Sequence, residues 1–186
     1  MYTAIIPFLL ALIAKHPHST PIVHIEGIMG SGKSTLINYI DENLSHQNIS
    51  HQIIHEPTEI WTRLNWTTLE SRQQSQVFIL YHMNHLLLQA LQNKKDIIIM
   101  DRSPWSVCNV FMKLEHIDSF SVKLCSLGDL TNYIIYQRIS PRRAHKRLSK
   151  RNREGDVQIP LSYLQLQNKL FNQANIATKA SLIIDQ

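Results

Sequence analysis

Eight consecutive residues, Gly27-Ile28-Met29-Gly30-Ser31-Gly32-Lys33-Ser34, fit the phosphate-cradling pattern G-x-x-x-x-G-K-[ST]. The glycines let backbone N–H groups turn toward one anion, and a helix beginning there adds the partial positive charge of its N-terminus. Lys33 is spaced to reach the β- and γ-phosphates of a triphosphate. Ser34 is spaced to offer its hydroxyl to a magnesium ion bridging them, with Thr35 next on the same helical turn. Two further carboxylates and an arginine stand where strands should end. Glu56 precedes Pro57, which biases it toward extended backbone and a carboxylate directed at the γ-phosphate. Asp101 and Arg102 close an apolar run, with Asp101 suited to magnesium and Arg102 to neutralising a transferring phosphoryl group.

These groups converge only if the chain folds as an open α/β sheet, in which the carboxyl ends of the strands face the ligand crevice. The pattern supports that fold. Pro21–Glu26 reads as a buried strand before the glycine loop, and Thr35–Ile40 as the start of an amphipathic helix after it. Ser50–His55, Asp96–Met100, Asn132–Tyr136 and Ser181–Asp185 read as four more strands. Leu69–Gln92, Trp105–Leu114, the run from Pro141 and Pro160–Thr178 read as helices. Gln73, Gln74 and Gln76 interrupt the long helix, and an amide beside a pocket can read a base edge by donating and accepting at once. The basic-then-acidic run Lys150–Asp156 reads as a lid over a triphosphate.

At 186 residues the chain is long enough for one domain with a proper core. The net charge of +5 comes largely from Lys and Arg between Arg138 and Arg153, which favours a local anion site over a nucleic-acid-binding face. Residues 1–20 form an apolar N-terminal extension, and residues 21–186 the domain proper. Tyr2–Ala14 is too short to span a bilayer and contains Pro7, so the extension is expected to pack on the domain or stay mobile, with His16-Pro17-His18-Ser19 as its linker. No membrane association is expected. Cys108 and Cys125 form no disulfide framework, which fits a reducing, cytoplasmic compartment. Asn93-Lys94-Lys95-Asp96 matches a guanine-reading motif, but its place at the end of a helix argues instead for lysines in the last turn complementing the helix dipole.

Four separated stretches together resemble the deoxynucleoside kinase family, which includes the cellular deoxynucleoside kinases and the herpesvirus-type thymidine kinases. They are Ile25-Glu26-Gly27 through Ser34; Glu56-Pro57-Thr58-Glu59-Ile60-Trp61; Asp101-Arg102-Ser103; and Tyr136–Leu164 with Ser140-Pro141, Arg147, Arg151, Arg153 and Tyr163-Leu164. The resemblance implies a doubly wound five-stranded parallel sheet of order 2-3-1-4-5 with helices on both faces and an arginine-rich lid. It also implies transfer of the ATP γ-phosphate, with Mg2+, to the 5′-hydroxyl of a deoxynucleoside, and allows a homodimer. On that resemblance Glu56 is the general base with Arg102 its partner, and Arg147, Arg151 and Arg153 are the lid arginines. Trp61, Gln74, Val77, Tyr81 and Phe111 line the nucleoside cleft, with Gln74 reading the base and Phe111 stacking on it, and Asp156 holds the sugar 3′-hydroxyl. Val107 stands where relatives preferring cytidine or purine carry a charge, so its apolar side chain points to thymidine, with deoxycytidine as the second choice. The short frame suits a viral member, acting in the host-cell cytoplasm.

Two other readings differ in testable ways. A thymidylate kinase would need a cation beside its phosphate acceptor, yet His55 precedes Glu56 where an arginine would be expected. A non-catalytic nucleotide-binding protein would bind ATP without transferring phosphate.

Overall fold

The computed structural model describes residues 2–57, 68–117, 132–151 and 159–186. Five parallel strands form one sheet in the order β2-β3-β1-β4-β5: β1 Ile22–Glu26, β2 His51–Ile54, β3 Ile97–Asp101, β4 Asn132–Arg138 and β5 Leu182–Asp185. The two strands at its centre, β1 and β3, are buried at every position. That is why β3 reads as a continuous apolar run over Ile97–Met100 rather than an alternating one, while β1 buries His24 and Glu26 beside its Ile and Val residues. Their register sets Ile25 opposite Asp101, and β4 brings Tyr136 opposite Glu26. Thus the glycine loop leaving β1 and the Asp101-Arg102 step leaving β3 emerge side by side at the carboxyl edge.

Strand alternation divides the apolar residues between the two faces. On one face Val23, Ile25, Ile97, Ile99 and Ile135 pack under helix α2 (Lys33–His46) through Leu36, Ile37, Ile40 and Leu44. On the other face Ile22, Ile98 and Met100 pack with Ile79, Leu80 and Met83 of helix α3 (Leu69–Gln92). Tyr136, on that face of β4, packs with Leu148 of helix α6 (Pro141–Arg151) and Leu164 and Phe171 of helix α7 (Leu161–Gln173). The start of α3 is fixed by Thr68, whose hydroxyl accepts a hydrogen bond from the Ser71 N–H. Ser140 caps α6 in the same way toward Arg143 N–H, just ahead of Pro141.

The apolar N-terminal stretch folds as helix α1 (Ile5–Lys15), and its Ile5, Leu9 and Leu12 enter the same core as α2 and the sheet. Each such side chain contributes about 1.5–3 kcal/mol by leaving water. His16, expected in a linker, is pinned instead, its Nε2 lying 2.6 Å from the Tyr133 hydroxyl.

Three local expectations are corrected. The helix expected over Pro160–Thr178 breaks at Asn175, which takes φ 54° between α7 and the short α8 (Ile176–Lys179). Between α4 (Pro104–Ser106) and α5 (Met112–Leu114), Val107–Phe111 winds as a π-helix, which apolar periodicity over ten residues does not distinguish from an α-helix. Lys94 and Lys95 lie beyond the last turn of α3, where they cannot complement the dipole from within the helix, and Lys94 takes a left-handed φ of 46°.

Candidate active site

The glycine loop is hemmed in closely enough to explain its composition. A Cβ on Gly27 would lie 2.7 Å from the Gln137 carbonyl oxygen, and one on Gly30 2.8 Å from that of Ala144 in α6. Both residues also hold φ values, 148° and 76°, that side chains disfavour. Lys33 begins α2, and its ammonium is buried and donates to the Gly27 carbonyl at 3.4 Å. Burial, joined by the neighbouring Arg102 guanidinium, pushes its pKa down to about 8 against the opposing pull of Asp101, Glu56 and Glu26.

Arg102 is the centre of the arrangement. Only 2 % exposed, it donates through Nε to Glu56 Oε2 at 2.8 Å and through Nη1 to the Gly27 carbonyl at 3.1 Å. Its guanidinium lies 4.2 Å from the Phe111 ring centre. Burial alone would lower its pKa, but Glu56, Asp101 and Glu26 outweigh that and hold it above the ordinary arginine value. Its φ of 76° is a left-handed conformation, uncommon for a residue with a side chain, and is fixed by the bond from its N–H to the Ile25 carbonyl. Lys33 and Arg102 therefore donate to the same backbone oxygen, with the Glu56 carboxylate bonded to the arginine. The arrangement can neutralise a phosphoryl group from two sides while presenting a carboxylate for a proton.

Glu26 is a functional position to which the residue pattern gave no role. Wholly buried, its Oε1 accepts from the Ser103 N–H at 2.8 Å and hydroxyl at 2.6 Å, which clamps the turn carrying Arg102. Burial raises its pKa despite the opposing Ser103 and Arg102. Its signal in the sequence was a carboxylate ending a buried strand. Glu115 was missed as well. It is 2 % exposed, accepts from Arg72 Nε at 2.7 Å and lies 3.5 Å from the Tyr163 hydroxyl, so it joins α3 to α7. Burial, then the neighbouring Glu115, pushes the Tyr163 phenol well above the ordinary tyrosine value.

Arg147 reaches the loop from α6, donating to the Ser31 carbonyl at 3.2 Å, whereas Arg151 ends the same helix in an exposed position. Asp101 is 8 % exposed, and its Oδ1 is buried with no hydrogen-bond partner among the described residues. Such an oxygen, with the Ser34 hydroxyl at the start of α2, fits a hard divalent cation. Trp61, Arg153 and Asp156 lie outside the described residues.

The expected nucleoside cleft divides. Val107 (1 % exposed) packs with Met100 and Cys108 beneath the site. Phe111, expected to stack on the base, is also 1 % exposed, carrying Arg102 over its face and meeting Phe171 edge-on. Gln74, Val77 and Tyr81 turn away. With Gln73, Phe78 and Ile117 they line an open concavity on α3 to which none of the residues around Arg102 contributes, and Gln74 Nε2 donates to Glu70 Oε1 at 3.3 Å. The buried amide of that helix is Gln76, 2 % exposed. The three glutamines are too close in sequence for periodicity to select one, and a two-residue step rotates the side chain to another face of the helix.

With this geometry in view, the comparisons with known proteins agree. The deoxynucleoside kinase family model matches residues 23–185. Kinase protein 029R of Invertebrate iridescent virus 3 is 32 % identical over 154 residues, which cover 77 % of this chain and 76 % of that protein. The probable deoxycytidine kinase FPV151 of fowlpox virus is 26 % identical over 77 % of this chain and 67 % of its own length. In fold, the chain resembles the deoxyadenosine kinase of M. mycoides solved with dATP, with a TM-score of 0.67 at 22 % identity, covering 88 % of this chain and 90 % of that one. The chain belongs to the deoxynucleoside kinase family.

Proposed function

We propose that the chain transfers the γ-phosphate of ATP to the 5′-hydroxyl of a deoxynucleoside, thymidine first, in nucleotide salvage. The observation that carries this reading is the convergence of Lys33, Arg102 and Glu56 around the Gly27 carbonyl. Lys33 leaves that oxygen for the donor's phosphates. Arg102 holds Glu56 in place and faces the charge that builds on the transferred group. Glu56 Oε1, the oxygen not engaged by Arg102 Nε, accepts the 5′-hydroxyl proton. Ser34 and Asp101 would hold magnesium, which when bound supplies charge neutralisation across the β- and γ-phosphates. Family membership and the dATP carried by the M. mycoides kinase support a triphosphate at the loop.

Position 107 supports thymidine through the family resemblance alone: relatives preferring cytidine or purine carry a charge there, and Val107 is apolar. Deoxycytidine is the second reading, favoured by the name of the fowlpox relative and by the dCMP in a second structure of the M. mycoides kinase. The viral relatives favour a viral origin and action in the host-cell cytoplasm. Among the described residues no helix is long and apolar enough to cross a membrane. A homodimer would bury Val77, Phe78 and Tyr81, each at least half exposed on α3, and light scattering on the purified chain would read a mass twice that of one chain.

Comparing kcat/KM for thymidine, deoxycytidine, deoxyadenosine, deoxyguanosine and thymidine monophosphate tests the acceptor. Preference for thymidine is expected. Preference for deoxycytidine would select the second reading, and activity on the monophosphate alone would overturn both.

A further inference from the structure

The phosphate loop lies against a group that the mechanism above does not use. Gln137, the sixth residue of β4, is 0 % exposed, and both its Oε1 and its Nε2 are buried with no hydrogen-bond partner among the described residues. Leaving both ends of an amide unpaired in a folded interior is costly. Alternation along β4 sends Gln137 to the face of Ile135 and Tyr133, where the sheet is otherwise packed by apolar side chains from α1 and α2. A leucine would suit that face better.

Its position suggests what the amide serves. The Gln137 carbonyl oxygen lies 2.7 Å from where a Cβ on Gly27 would sit, and its side-chain Oε1 lies 3.9 Å from the corresponding point on Gly32. The side chain therefore runs beside the loop between its first and last glycines. Arg147 Nη1 flanks Gly32 as well, 3.6 Å from the same point, and bonds the Ser31 carbonyl. The Ser31 hydroxyl is itself buried and unpartnered among the described residues. When a triphosphate binds, its charge competes for Arg147, which frees the Ser31 carbonyl beside an amide that has a donor to spare.

We propose that Gln137 is a positioning residue of the phosphate loop: its Nε2 donates to Ser31 once the phosphates draw Arg147 away, and so favours the loaded loop over the empty one. This rests on the reading of the loop as the ATP site. An ATP-induced rise in the melting temperature of the wild-type chain tests that reading separately.

The test is Gln137→Leu in the full chain, measured by thermal unfolding with and without ATP and magnesium, and by steady-state kinetics. Without nucleotide the variant should melt about 2–6 °C higher, since an unpaired amide is gone. Its ATP-induced rise should shrink, and KM for ATP should increase about tenfold, the loss of one hydrogen bond to the loaded loop. Acceptor KM and kcat should stay within about twofold. A lower ligand-free melting temperature, or an unchanged KM for ATP, would overturn the proposal. A missing wild-type response to ATP would instead sink the loop assignment. Should the variant not fold, the side-chain amide signal of Gln137 in glutamine-labelled wild type decides. Slower hydrogen exchange on adding ATP and magnesium supports the proposal, and an unchanged signal overturns it.

Discussion

Lys33→Met should stabilise the protein while removing its grip on ATP. The fall in the Lys33 pKa from 10.5 to about 8 corresponds to about 3 kcal/mol of penalty for keeping its proton at pH 7. Methionine keeps most of the side-chain volume without the charge. The 3.4 Å bond to Gly27 is also lost, which at about 1 kcal/mol leaves a net gain of about 2 kcal/mol. That corresponds to a rise of about 4–8 °C in melting temperature for a chain of this size.

The pH dependence gives the same idea a sharper form. In the folded state Lys33 releases its proton near pH 8, while in the unfolded chain it keeps it to about 10.5. Between these values the unfolded state binds more protons, so the Lys33 contribution makes stability rise with pH across that window and stay flat below it. The variant should lack the rise. ATP needs the ammonium form, so wild-type affinity for ATP, measured by calorimetry without acceptor, should be flat up to about pH 7.5. Above about pH 8.5 it should weaken about tenfold per pH unit, with proton uptake on binding. A variant that melts lower at pH 7, or wild-type affinity independent of pH up to 9.5, would refute the account of Lys33 as a buried, destabilised charge awaiting phosphate.

Three other outcomes are expected. Glu56→Gln should lower kcat by about 10²–10⁴ with ATP affinity unchanged within about twofold, as loss of a general base requires; turnover like wild type would remove Glu56 from that role. Gln76→Leu should raise the acceptor KM at least tenfold whereas Gln74→Leu should leave it unchanged, because Gln76 is buried and Gln74 is exposed and bonded to Glu70; steady-state kinetics on the two variants would expose the reverse. Leu9→Ala, at a position with 0 % exposure in the core shared by α1 and the sheet, should cost about 2–5 kcal/mol in chemical denaturation. A loss under 0.5 kcal/mol would mean that α1 is dispensable to the fold.

The sheet was legible because β3 is an unbroken apolar run up to Asp101, β1 is mostly apolar, and the loop leaving each carries a residue type with one strong use. Gly27–Ser34 and Asp101-Arg102 could be placed before any coordinates because buried parallel strands leave little freedom of register. The strand order followed from the family resemblance. What was not legible depends on contacts between distant elements. Nothing near Glu26 in sequence predicts that it clamps Ser103, seventy-seven positions away. Phe111 could be assigned to a base from its place in the resemblance, but the guanidinium over its ring is set by the left-handed turn at Arg102. Periodicity could not choose among Gln73, Gln74 and Gln76 for a rotational reason: a two-residue step turns the side chain to another face of the helix, and the structure buries Gln76 while Gln74 bonds Glu70. The break at Asn175 needed a left-handed residue that amphipathic spacing does not register.

The central claim is that the groups gathered around Gly27 move a phosphoryl group to a nucleoside hydroxyl. Incubating the chain with magnesium, ATP labelled in its γ-phosphate and a mixture of deoxynucleosides tests it in one step. The label should appear in a deoxynucleoside 5′-monophosphate. Label remaining in ATP, or appearing only as inorganic phosphate, would contradict the account.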